Sequence, residues 1–287
     1  MATTSNPQPR PATTTIHEAR LRLFQPTRRP RDTEQVLETA WGRVRIKGRL
    51  GQQHADVLGA IRHCAERAAP DGNRIKLLVD PARVRQVAAQ ASGTTFRHVL
   101  DDLLQVVIQV LEPENLRCHG HFIDHIDEAR RADGTPITRP NPLTRGERVM
   151  WRVELGAAAC KLISADLRLD YDPTPLARLD HGITAAVIRH VLTHRVQPHG
   201  GWTLNGLIGS VAGALTEQQM RDRRREVRAD ASRLTGFGLR LEGDRLRRVE
   251  QKPERVEQKP DSVEQKPGAW SKSLGSSGSS GPSGLKS

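Results

Sequence analysis

The chain has 287 residues, with 45 Lys and Arg against 33 Asp and Glu, a net charge of +12. Arginine supplies most of the excess, and its planar, permanently charged fork suits phosphate and guanine edges, so a polyanion is the expected partner. No run of 18 apolar residues occurs, so no membrane-spanning helix and no membrane partner are expected.

The opening MATTSNPQPRPATTT lacks the charged start and apolar core of a secretory signal. Cys64, Cys118 and Cys160 are odd in number and widely spaced, which fits a reducing bacterial cytoplasm. Aromatic residues make up 3% and there is a single tyrosine. Single-strand binders offer rings for bases to stack on, so duplex DNA is the better match.

Residues 1–34, rich in Pro, Thr and Arg, are expected to form a disordered basic arm with one short helix at Ile16–Phe24. Gly42–Leu50 alternates apolar and basic residues with the period of a strand. Its cations Arg43, Arg45, Lys47 and Arg49 suit a backbone-contacting edge or a charged edge strand that resists aggregation. Gln52–Ala69 sets Val57, Leu58, Ile61, Cys64 and Ala65 on one helical face. A strand at Ile75–Val79 follows, and then Asp80 caps a short helix that begins with Pro81. After the break at Ser92-Gly93, an apolar helix is predicted from Thr94 to about Val110, then a wing strand over Leu116–Ile126. Residues 130–148 suit a long wing tip or an interdomain loop.

From Val149 a similar order follows: a strand at Val149–Leu155, a helix at Ala157–Ile163 and a short strand at Leu167–Tyr171. Helices are then expected at Gly182–His194, Thr203–Ala214 and Thr216–Thr235, and a hairpin over Gly238–Val249. Beyond it, VEQKP recurs every seven residues from Val249. Its prolines exclude a continuous helix, so an extended spacer leading into Gly/Ser-rich sequence is expected.

Thr216–Thr235 carries the strongest functional signal. Thr216 and Gln219 form a capping box, and Met220, Val227, Ala231 and Leu234 make a narrow apolar stripe. Arg221, Arg224, Arg225 and Arg228 share the adjacent face, while Asp222, Glu226 and Asp230 fall on the other flank. Charges sorted in this way suit a major-groove helix, with Arg240, Arg245, Arg247 and Arg248 on the following hairpin as a basic wing. A solvated helix laced with internal ion pairs is the alternative. The first-half helix is mostly apolar and carries Asp101-Asp102, so only Thr94, Thr95, Arg97 and His98 in its first turn could touch DNA. Packing or dimerisation is the other role open to that half.

Cys118, His119, His121 and His125 do not match a standard structural zinc spacing, and exposed wing histidines are the simpler reading. A rolling-circle nicking enzyme would use His119-Gly-His121 with a nucleophilic tyrosine, but Tyr171 sits at a strand end with no helix to carry it. No phosphate-binding P-loop or nucleophile elbow occurs, and no cofactor is expected.

WGRVRIKGRLGQQHADVLGAI, LTEQQMRDRRREVRADASRLTGFGLRLEGDRLRRV and the repeated element order across residues 36–249 resemble the theta-type plasmid replication initiators, the tandem winged-helix Rep family. The resemblance implies an α+β chain in four parts. These are a basic arm (1–34), a first winged-helix domain (35–148), a second that reads repeated origin sequences (149–249), and a tail (250–287). It also implies a non-enzymatic initiator that recruits host replication proteins, with a first domain that dimerises or adds DNA contacts. Arg221, Arg224, Arg225 and Arg228 would face the origin repeats, with Thr94, Thr95 and Arg97 as secondary contacts. A winged-helix repressor or copy-control regulator is the nearest alternative.

Overall fold

The computed structural model describes residues 13–20, 22–39, 42–90, 92–111, 116–141, 146–164 and 168–249. All belong to one compact unit, Met1–Glu250. The VEQKP repeats beyond Val249 and the Gly/Ser sequence lie outside the described residues.

The fold mixes helices and strands. The first half builds two four-stranded antiparallel sheets. One runs Asp32–Thr39, Gly42–Arg49, Val107–Leu111, Leu116–Gly120; the other runs Arg67–Asp71, Arg74–Val79, Trp151–Leu155, Ile123–Glu128. Helices Gln52–His63, Pro81–Val87, Gly93–Gln105 and Ala157–Ser164 pack with them around Val44, Ile46, Leu58, Ile61, Leu103, Ile108 and Val153. The period-two pattern sends Val44 and Ile46 inward and leaves Arg43, Arg45 and Lys47 exposed. Gly42–Arg49 is nevertheless an interior strand; the edge is Asp32–Thr39.

The expected helix from Thr94 to Val110 stops at Gln105 because the β-branched run Val106-Val107-Ile108 continues as strand. Leu116–Ile126 divides into two strands that enter different sheets. Within 130–148, Thr138–Pro140 and Glu147–Val149 pair as a hairpin. The strand expected to open the second half, at Val149–Leu155, forms over Trp151–Leu155 and pairs on both sides with first-half strands. The first core therefore extends through Cys160, and the second begins at Leu176. Along the chain the first half keeps a helix, hairpin, helix, helix, strands order. Its pairing differs from a compact three-stranded module, because Arg74–Val79 joins Trp151–Leu155 rather than the strands after the third helix.

The second half follows the expected order closely. Helices Gly182–Leu192, Leu204–Ala212 and Glu217–Ala229 enclose Ile183, Val187, Ile208, Val227 and Leu246. A short strand, Trp202–Thr203, lies between the first two helices. Leu239–Glu242 and Arg245–Arg248 form the closing hairpin, and the sheet order is Trp202–Thr203, Arg245–Arg248, Leu239–Glu242. Gly243, with φ 58°, supplies the left-handed turn of that hairpin.

Residues 13–34 do not form the free arm expected from composition. Thr14–Thr15 pairs with Arg168–Leu169, Ile16–Arg20 is helical, and Leu23 and Phe24 are buried. The strap then crosses the starts of two helices: Thr27 O accepts from Gln52 N at 2.9 Å, and its backbone lies against Gly182. Arg28 reaches the carbonyls of Leu176, Ala177 and Leu179 at 2.9–3.2 Å and pairs with Asp56. Asp56 also receives Arg189, which donates to Gln52 as well. A buried bidentate pair, Arg62 with Glu18 at 2.7 and 2.8 Å, completes the fastening.

Candidate nucleic-acid interface

Glu217–Ala229 starts where the sequence predicts. Gln219 N donates to Thr216 Oγ1, and Thr216 N donates to Gln219 Oε1 at 2.9 Å. Val227 and Leu234 are fully buried, and Met220 and Ala231 pack against the same cluster, so the apolar stripe holds. The α-helix ends at Ala229 rather than Thr235, and Ala231–Phe237 continues as a 3₁₀ helix. Asp230 is buried rather than on a solvated flank, and its carboxylate accepts from the backbone N–H of Asp180 and His181.

The arginine face is exposed but more internally paired than simple sorting implies. Arg221 donates to Glu217 at 3.1 Å, Arg225 to Asp222 at 3.1 Å and Arg223 to Glu226 at 2.8 Å. Arg228 pairs with Asp244 at the tip of the hairpin, so the tip is tied to the helix. Arg224 differs from its neighbours: its Nε is buried without a hydrogen-bond partner. Exposed pairs of this kind are each worth about 0–1 kcal/mol.

On the hairpin, Arg240 and Arg247 stand directly opposite each other and both are exposed. Like charges in that register destabilise a bare sheet, and an anion laid against them relieves the conflict. Arg247 also pairs with Glu242 at 3.0 Å. Arg245 has a structural contact, donating to Gly200 O at 3.2 Å. Arg248 donates to Arg195 O and lies 5.7 Å over the Trp202 ring, so it anchors the hairpin.

Thr94, Thr95 and Arg97 are exposed on the first turn of Gly93–Gln105. The amides of Thr94 and Thr95 are capped by Ser92 Oγ, which leaves side chains rather than backbone for a ligand there. Asp102 is half-buried, with its carboxylate 3.0 Å from His54 Nε2, and Asp101 beside it is exposed. The basic strand is answered by its neighbour: Arg45 lies 3.5 Å from Glu34 and Arg43 3.9 Å from Glu38. Two of the four cations on that strand are thus matched by carboxylates of the edge strand.

Cys118 and His119 lie on one sheet and His125 on the other, where His125 pairs with Asp127 at 2.6 Å. His121 Nδ1 sits 2.9 Å from Val106 O. Tyr171 is half-buried beside Arg189, and burial pushes its phenol up, which does not suit a nucleophile. Sequence reasoning missed Asp244, which organises the helix and hairpin, and the Arg28–Asp56–Arg189 cluster. The one signal for the latter was an arginine within the apolar run GITAAVIRHVL.

No protein-family model, curated protein or solved structure matches this chain.

Proposed function

We propose that this chain is a non-enzymatic, sequence-specific binder of double-stranded DNA of the plasmid replication-initiator kind, acting in the bacterial cytoplasm. In this reading residues 182–249 are a winged-helix module whose third helix, Glu217–Ala229, enters the major groove. The carrying observation is the coupling of helix and hairpin: Arg228 holds Asp244, while Arg240 and Arg247 face outward beside it. Two cationic elements tied side by side suit a groove and its flanking phosphates better than a merely solvated surface. The helix, hairpin, helix, helix order of the first half supports a diverged second module, enlarged by extra strands. Its roles would be to hold a second copy or to add contacts through Thr94, Thr95 and Arg97. Host replication proteins would be recruited at the bound origin, and no cofactor takes part.

The test is a footprint of the full chain on DNA flanking its own gene, with and without Mg²⁺. Regular protection of direct repeats without strand cleavage supports the initiator reading. A lone protected palindrome at the promoter moves the reading to a repressor. Coating that vanishes with salt and shows no sequence preference sinks both, and Mg²⁺-dependent nicking lost in Tyr171→Phe would make it an enzyme.

A further inference from the structure

The outermost ridge of the arginine helix carries a second pattern. At 100° per residue, Gln218, Asp222, Arg225 and Ala229 fall within about 60° of one another, opposite buried Val227. Arg221, Arg224 and Arg228 lie to one flank of that ridge. Gln218 Nε2 donates to both Asp222 oxygens at 3.3 Å, and Arg225 Nη2 donates to Asp222 Oδ1 at 3.1 Å. Arg225 is 81% exposed although its guanidinium is held, and Asp222 is 41% exposed.

We propose that Arg225 is the base-reading residue, aimed at O6 and N7 of a guanine in the major groove, and that Asp222 is its positioning residue. The inference rests on the DNA-binding reading above and deepens it. A helix laid in a groove brings the ridge opposite its buried stripe nearest the base edges, and its flanks nearest the phosphates. A phosphate contact needs no fixed orientation. Reading a guanine edge needs the guanidinium plane set in advance, and a side chain already held loses less freedom on binding. Asp222 engages one N–H of Nη2 and leaves the other, with Nη1, free for a bidentate contact. Its charge, costly beside a phosphate, is matched here by Arg225, and Gln218 donates to the same carboxylate. Ala229 adds no bulk at the far end of the ridge.

The experiment selects sequences from a randomised duplex pool with the full chain. It then measures competition by single-base-pair variants for wild type, Arg225→Ala, Asp222→Ala and the double variant. Arg225→Ala is expected to lose discrimination at one G·C pair by roughly 5- to 150-fold. Asp222→Ala should weaken discrimination at that same pair, and the double variant should be no worse than Arg225→Ala, with thermal midpoints unchanged. A merely structural Asp222 would instead shift the midpoint and spare the base preference. Arg225→Ala that weakens all sequences equally, or keeps the full profile, overturns the inference alone. A wild-type chain that selects no sequence removes the DNA reading and the inference together.

Discussion

Asp230 caps a helix that begins 48 residues before it in the chain. Its carboxylate accepts from His181 N at 3.2 Å and Asp180 N at 3.3 Å, and lies 3.1 Å from His181 Nδ1. Those amides open Gly182–Leu192, whose own N-cap, His181, provides no side-chain cap. The end of the arginine helix is thereby fixed to the start of the first helix of its half. Asp230→Ala should cost about 1–3 kcal/mol, since a cap is lost and two part-buried amides are left without their acceptor. Urea unfolding of the variant measures this. A change within about 0.5 kcal/mol, the range of an ordinary surface substitution, would show that the contact adds nothing.

Two glycines test the strap. A Cβ on Gly182 would lie 2.5 Å from the Thr27 backbone, whereas one on Gly209 meets nothing within 4 Å. Gly182→Ala must push the strap away from the helix start and should destabilise by about 1–3 kcal/mol. It should also speed tryptic cleavage after Arg28, the strap bond at Arg29 being closed to trypsin by Pro30. Gly209→Ala, inside the Leu204–Ala212 helix, should stabilise by about 0.5–1 kcal/mol. Equal effects at both sites would mean that the strap does not press on Gly182.

Local signals were legible where one residue type does one job. Asp80 accepting from Ala82 N ahead of Pro81, the Thr216–Gln219 box, and the Val44–Ile46 alternation all stand as the sequence predicts. The exposed arginine face followed from helical spacing. Pairing between distant segments was not legible. Nothing near Trp151–Leu155 says that its partners are Arg74–Val79 and Ile123–Glu128. The burial of Asp56, Arg189 and Asp230 depends on partners far along the chain, which local spacing does not reveal. The same holds for the carboxylates of the candidate site. Spacing could suggest Glu217 for Arg221, but Asp244 reaches Arg228 only once the hairpin folds back.

Acid should weaken the second half through its histidines. His190 is pushed down to about 4, first by burial and then by His194 and Arg20. Burial also lowers His194. The native chain therefore binds fewer protons than the unfolded chain between about pH 6.5 and 4. The stability these groups contribute is complete above that window and is lost as pH falls through it. The urea midpoint should drop between pH 7.5 and 5, and drop less in His190→Gln. An identical drop in the variant would assign the acid sensitivity to other groups.

Asp244 sets two effects against each other. Its ion pair with Arg228 ties the hairpin tip to the helix, and its carboxylate also stands at a surface proposed to meet phosphate. Both side chains are about half exposed, so the tie is worth at most about 1 kcal/mol of stability. Repulsion of a polyanion by that carboxylate, together with its neutralisation of Arg228, outweighs the tie at low salt. Asp244→Ala should therefore bind duplex DNA more tightly, by roughly 3- to 10-fold at about 50 mM salt, if about one more cation becomes free to contact phosphate. The plot of log affinity against log salt should steepen by about one unit. The gain should fall on specific and non-specific duplexes alike, because Asp244 does not lie on the proposed base-reading ridge. Weaker binding with a shallower slope would show that the tip must be held by Arg228 before the hairpin can engage DNA, and that orientation matters more than charge at this contact.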